Sequence, residues 1–456
     1  MRIVTRTSVA SPSWHAEIFI ALWWAIYLYS YSSLNAGDMT SALTAIETGS
    51  ILVQALVLSL GFYGSCELMR KKRISRLLAC TWFRWLLAYI VWSGVTIFWS
   101  QSPQLSIRRY CAFLAVVSGS VGLALGLFEQ HATPIYRMAQ ATAIAGTSAA
   151  VTLLVRMSKD LTVANILNPA WSPEIRARGP FLLNAVDLGL LAASLLWMET
   201  RRTIYLVAIA LQTIAVLAMK SRSQTAFTLI VMLLAWIITL TRKNHSITFV
   251  VVFLLVIPVA YVGHLYDLDA IFIDSLMPYL QRGENSTTFE TLNGRVPLWN
   301  LLLQWMAMNP LSGVGFGAFW TGEQMVSVMN NVGWKATVAH NGFLDEALAT
   351  GIPGLLFLCG FLGASLRDIW RQGGTQSCFS YGQVFGICVI ILYVLFNLTD
   401  SIMQFYFRVP FLCILLCTTC LTMAPRRITG TLYSMNGVTL FVSDAIQEET
   451  GKAQHY

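Results

Sequence analysis

Twelve stretches of this chain each run for some 20 residues with few charges, and no other feature limits its fold as strongly. A bilayer's apolar interior is about 30 Å thick, and a helix needs about 20 apolar residues to cross it. The candidate spans are 15–34, 49–69, 78–99, 110–128, 138–157, 181–198, 203–219, 225–241, 247–264, 343–366, 380–397 and 406–423. Composition agrees: 56% of the 456 residues are hydrophobic and 11% are charged, against about 25% charged in a soluble protein. The expectation is an all-α multi-pass membrane protein with one helical domain over 1–424 and a cytoplasmic tail over 425–456, polar and loosely ordered from Ile428 on.

The net charge of +8 reports orientation before anything else, because cytoplasmic loops of membrane proteins collect Lys and Arg. With a cytoplasmic N-terminus, the basic stretches at 70–76, 201–202, 241–244, 367–371 and 425–427 fall on one side. That side then holds 17 of the 30 Lys and Arg residues, and both termini are cytoplasmic. No basic run interleaved with aromatics stands outside the membrane, so no nucleic-acid partner is expected. Arg2 and Arg6 precede "AEIFIALWWAIYLYSYSSL" with no small-x-small cleavage site after it, which reads as a retained first helix. The nine cysteines lie in or beside apolar spans. They read as small packing residues, with neither zinc-ligand spacing nor a disulfide framework.

Ten cations resist this scheme. Arg108, Arg109, Lys159, Arg176, Arg178, Lys220, Arg222, Arg282, Arg295 and Lys335 fall in outer loops. An anionic ligand at the outer surface is one reason to keep them there; ordinary solvated loop charge is the other. One outer loop is long, 265–342. Within it "LWNLLLQWMAMNP" is too short to span and suits a helix in the membrane interface, ended by Asn309-Pro310. The following "LSGVGFGAFW" neither follows a strand nor opens a dinucleotide-binding helix. A tight re-entrant turn is the better reading.

Polar residues gather at outer helix ends: Arg178, Asn184 and Asp187; Lys220 and Arg222; Arg295; His340 and Asn341; and Asp400. The topology brings all of them to one side at similar depth. Arginine pairs with phosphate oxygens through two parallel N–H donors and stays charged. Histidine titrates near neutrality and can take a proton from an attacking hydroxyl. Together they suit transfer of a glycan from a lipid diphosphate to a hydroxyl, with no metal and no cofactor. Each residue also has a plainer reading. Arg222 could anchor a helix end, Arg295 could hold lipid headgroups, and His340 could cap a helix. Asp187 suits an ion pair with a nearby arginine. Asp345 and Glu346 suit a helix N-terminus through its dipole. A transporter for lipid-linked sugars would instead favour charges deep in the bilayer and paired repeats with broken helices; no internal repeat is visible.

Four stretches resemble the O-antigen ligase and polymerase superfamily of bacterial envelope proteins: "FWSQSPQLSIRRY", "RGPFLLNAVDLG", "GRVPLWNLLLQWMAMNPLSGVGFGAF" and "AHNGFLDEALATGIPG". The resemblance implies a fold related to the C-type membrane glycosyltransferases. It implies a glycan carried on undecaprenyl diphosphate at the periplasmic face of the inner membrane, and an acceptor that is another glycan or lipid A–core. Arg222 and Arg295 would then engage the diphosphate, with Arg178, Lys220, Asn341 and Asp400 lining the substrate site. His340 would assist the acceptor hydroxyl or orient the phosphate. A chain-length regulator is a candidate partner. The look of "SRSQTA" and the modest outer loop lean toward a polysaccharide polymerase over a ligase.

Overall fold

A computed structural model describes residues 51–69, 73–130, 134–158, 180–219, 221–240, 294–334, 336–374, 380–403, 409–423, 430–435 and 438–443. The chain divides into two compact units, Met1–Thr422 and Met423–Tyr456. The described part of the first is entirely helical: α1 (Ile51–Met69), α2 (Arg73–Ala79), α3 (Thr81–Val95) with a 3₁₀ turn (Thr96–Trp99), α4 (Pro103–Gln130), α5 (Pro134–Met157), α6 (Pro180–Thr200), α7 (Thr203–Met219), α8 (Arg222–Leu240), α9 (Arg295–Met308), α10 (Gly322–Val332), α11 (Gly342–Gly374), α12 (Tyr381–Thr399) and α13 (Val409–Met423).

Ten of the twelve apolar stretches therefore form helix. The stretches 15–34 and 247–264 lie outside the described residues. Among the described residues, five helices are long and apolar enough to cross a membrane: Pro103–Gly126, Pro134–Met157, Ser223–Leu240, Gly342–Gln372 and Tyr381–Thr399. Three helices open on proline, at Pro103, Pro134 and Pro180. The missing N–H costs nothing in a first turn, and the ring presets φ. The stretch 78–99 is not one helix. A bend at Cys80 parts α2 from α3, and α3 tightens into the 3₁₀ turn before Ser100.

The helices pack as α1 on α4, α5 on α6 and α7, α3 on α11, and α12 on α6, α8 and α11. Phe411 of α13 sits at the centre, with ring centroids 6.1–6.2 Å from Phe113 of α4, Phe361 of α11 and Tyr393 of α12. The eight described cysteines are free thiols, and Cys388, Cys413, Cys417 and Cys420 are buried as packing residues.

The stretch expected to lie in the membrane interface forms helix α9, and "LSGVGFGAFW", expected as a tight re-entrant turn, is an irregular loop. What the loop does was not expected. α11 is not one rigid rod, because Gly351 interrupts it with φ 73° and ψ 176°, two residues before Pro353. The break takes carbonyls out of the helical ladder, and Pro353 has no N–H to return to Ala349. The loop replaces those bonds. Val314 N donates to Leu348 O (2.9 Å), Gly315 N to Ala349 O (3.0 Å), and Ile352 N to Pro310 O (2.8 Å). The Trp92 indole N–H of α3 donates to Thr350 O (2.7 Å). The "FWSQSPQLSIRRY" segment grips the loop from its other side: Trp99 Nε1 donates to Ser312 O (3.0 Å), Gln101 N to Val314 O (3.0 Å), and Arg109 to Gly317 O. A Cβ at Gly315 would run into Ser100.

The second unit holds an antiparallel hairpin, β1 (Gly430–Met435) with β2 (Val438–Ser443), in which Met435 pairs with Val438. These strands stand within the tail expected to be loosely ordered, the rest of which lies outside the described residues. The reason is visible in "TLYSMNGVTLFV", where alternating apolar residues flank Asn-Gly, the strongest short hairpin signal.

Gly351→Ala should lower the thermal unfolding midpoint in detergent by several degrees. The residue has positive φ, and its Cβ would strike the Leu311 carbonyl. Gly363→Ala, in the same helix with open space around it, should leave the midpoint unchanged or raise it, since alanine favours helix by about 1 kcal/mol. Equal midpoints for the two variants would refute this account of the break.

Candidate functional site

Three chain segments that are distant in sequence meet at one place: the start of α9, the loop entering α11, and the end of α12. Arg295 opens α9 behind Gly294, which is left-handed at φ 78°. Its guanidinium donates to Thr399 O (2.8 Å) at the last residue of α12. The next carbonyl, Asp400 O, accepts from Gly342 N (3.1 Å) at the first residue of α11. A second link closes the corner. The Trp334 indole lies over Gly294, so that a Cβ there would be 2.9 Å from Nε1. The same indole stacks on His340, with centroids 6.0 Å apart and planes tilted by 33°. Arg295, His340, Asn341 and Asp400 are thus brought together, each half-buried. The Trp334 N–H finds no hydrogen-bond acceptor among the described residues.

The conformation of His340 is unusual. At φ 51° it is one of two non-glycine residues with positive φ among the described residues, a state that costs about 1–2 kcal/mol for an L-residue. Its neighbours enforce it. Ala339 N donates to both carboxylate oxygens of Asp345 (3.2 and 3.1 Å). Ala339 O accepts from the Trp299 indole (2.7 Å). Asn341 Oδ1 caps α11 by accepting from Phe343 N and Leu344 N, both at 3.1 Å. Hydrogen bonds to a charged group contribute about 1.5–3 kcal/mol each, enough to offset the strain.

Asp345 and Glu346 are fully buried. The carboxylate of Asp345 also accepts from the Trp320 indole (2.6 Å). Glu346 accepts from Tyr89 Oη and Thr350 Oγ1, both at 2.8 Å. Their role is more specific than a favourable charge at a helix start: Asp345 reaches back to hold the loop before the helix, and Glu346 ties α11 to α3.

The remaining expected residues stand as follows. Arg178 and Lys220 lie outside the described residues, and of Arg222 only its place as first residue of α8 is described. Two residues on, Gln224 Nε2 donates to Asn184 Oδ1 of α6 (3.1 Å). Asp187 is fully buried one turn further along α6, and neither of its carboxylate oxygens meets a partner among the described residues. The tryptophans Trp299, Trp320 and Trp334 were missed as site-builders. An indole's single N–H donor is what a carboxylate or a stray carbonyl needs inside an apolar setting. Among the described residues no three His, Cys, Asp or Glu side chains converge.

Asn341→Ala should lower stability by about 0.5–2 kcal/mol through loss of the cap, read as a falling unfolding midpoint. Asn341→Asp should keep the cap and the midpoint. Loss in both variants would mean that the amide does something other than capping.

Residues 204–359 match the family model described as O-Antigen ligase, Wzy_C. The match runs from α7 into α11 and takes in Arg222, Arg295, His340 and Asn341, while Arg178 and Asp400 lie outside it. No curated protein matches the chain. Members of the matched family are glycosyltransferase-like enzymes, ligases and polymerases of O-antigen type. The apolar helices and the match together make this a multi-pass membrane protein, of which residues 204–359 are similar to the O-antigen ligase family.

Proposed function

We propose that the protein is a metal-independent membrane glycosyltransferase that moves a glycan from undecaprenyl diphosphate to an acceptor hydroxyl at the periplasmic face of the inner membrane. The reading rests on one observation above the others: Arg295 and His340 share a corner, bridged through Thr399–Asp400 on one side and Trp334 on the other. Arg295 supplies a fixed positive charge and planar donors for the diphosphate. Neutralising that leaving group lowers the barrier to breaking the sugar–oxygen bond. His340, half-buried beside Arg295, takes the proton of the attacking hydroxyl. Arg222 is the second diphosphate residue in this reading. Arg178 and Lys220 add positive charge around it, and Asn341 and Asp400 shape the acceptor side. The orientation with both termini cytoplasmic and ten cations outside supports the same face.

The acceptor is a growing lipid-linked glycan in the polymerase form of this proposal, which the modest outer loop and "SRSQTA" favour, and lipid A–core in the ligase form. A chain-length regulator belongs to the polymerase form.

A strain lacking the native gene, carrying the wild type, Arg295→Ala, Arg295→Lys or His340→Ala, separates these. Surface glycan is resolved by gel, and lipid-linked intermediates by mass spectrometry. His340→Ala should lower product by about 10²–10⁴-fold, the usual contribution of a positioned acid–base group. Arg295→Lys should fall between wild type and Arg295→Ala, because an ammonium keeps the charge and loses the fork. Single lipid-linked repeat units accumulate if a polymerase is lost. Full-length lipid-linked glycan with bare lipid A–core accumulates if a ligase is lost. Full rescue by both alanine variants would refute the site.

A further inference from the structure

The buried carboxylate at the foot of the histidine loop has a geometry that helix capping does not explain. Asp345 lies on α11, five residues past His340 and inside the packed interior. It does not cap its own helix; Asn341 already does that. Instead both of its oxygens turn back to the N–H of Ala339, and one of them also takes the Trp320 indole N–H. Asp345 therefore touches the histidine loop and the end of the glycine-rich loop. The peptide that follows Ala339 is the one whose rotation sets the φ of His340. Its carbonyl is pinned by Trp299. With both faces of Ala339 held, the imidazole's anchor is fixed in the left-handed state against the Trp334 ring.

We infer that Asp345 is a positioning residue: its carboxylate, held by the Trp320 indole and holding Ala339 N–H, fixes the backbone from which His340 reaches the acceptor hydroxyl. The inference deepens the transferase reading and rests on it for its effect on turnover. The chemistry explains why a carboxylate stands here. Both neighbours are N–H donors, so the site needs an acceptor on each oxygen. Asparagine has the same shape but turns an NH₂ toward one of the two donors.

The test uses full-length protein in two readouts. Purified wild type, Asp345→Asn and Trp320→Phe are treated with diethylpyrocarbonate. Carbethoxylation of each histidine is followed by mass spectrometry, alongside the unfolding midpoint. The same variants are scored for glycan product in the deletion strain. Asp345→Asn should change the modification rate of His340 severalfold, leave the other histidines unchanged, and lower product by about ten- to a hundredfold, the effect of misplacing a reacting group by about 1 Å. Trp320→Phe should change both readouts in the same direction by less. The inference is overturned if Asp345→Asn lowers product while His340 reacts at the wild-type rate, or if both readouts stay at wild-type values. If Asp345→Asn does not accumulate in the membrane, Trp320→Phe carries the test, and wild-type behaviour in both readouts overturns the inference. Full product from His340→Ala would instead sink the transferase site, whatever the modification rates.

Discussion

A backbone that leaves its helix inside a bilayer must find new hydrogen-bond partners, since lipid offers none. That constraint organises the structure around the break at Gly351. The carbonyls of Leu348, Ala349 and Thr350 point away from the helical ladder, and each is met: two by the backbone N–H groups of Val314 and Gly315, one by the Trp92 indole. The loop that answers them is held in turn by Trp99, Gln101 and Arg109. The join combines main-chain bonds with donors from Trp92, Trp99 and Arg109, and its close approach depends on glycines where a side chain would not fit.

The functional corner hangs from this join. Fixing the glycine-rich loop fixes Trp320 at its end, which holds Asp345. Asp345 holds Ala339, and Ala339 sets His340. From the far side, α12 delivers Thr399 and Asp400 to Arg295 and Gly342. The buried polar residues thus form a chain of supports running from the bundle interior to its edge, and strain at one histidine is distributed over several ordinary hydrogen bonds.

Much of this was legible in the sequence, and the divisions between legible and hidden follow physics. Apolar length alone located ten helices, because burying backbone in lipid leaves one solution. Arg295, His340, Asn341 and Asp400 stood out as polar residues at helix ends, and all four meet. The break at Gly351 was hidden, since "ATGIPG" inside an apolar run reads equally as close helix packing, and the choice depends on a partner some 35 residues earlier. Asp345 looked like an ordinary first-turn acid for the same reason: its true partner, Ala339 N–H, is set by the loop's path. The hairpin at 430–443 was legible through Asn436-Gly437 and was passed over because the tail as a whole is polar.

The break in α11 also bears on how the chain is built. If α11 were released into lipid alone, it would carry three unmet carbonyls, each costing several kcal/mol. Every group that satisfies them, Trp92 and the backbone of Val314 and Gly315, lies earlier in the sequence. Synthesis from the N-terminus therefore has the receiving surface ready before the broken helix emerges. The order of residues along the chain doubles as an order of assembly.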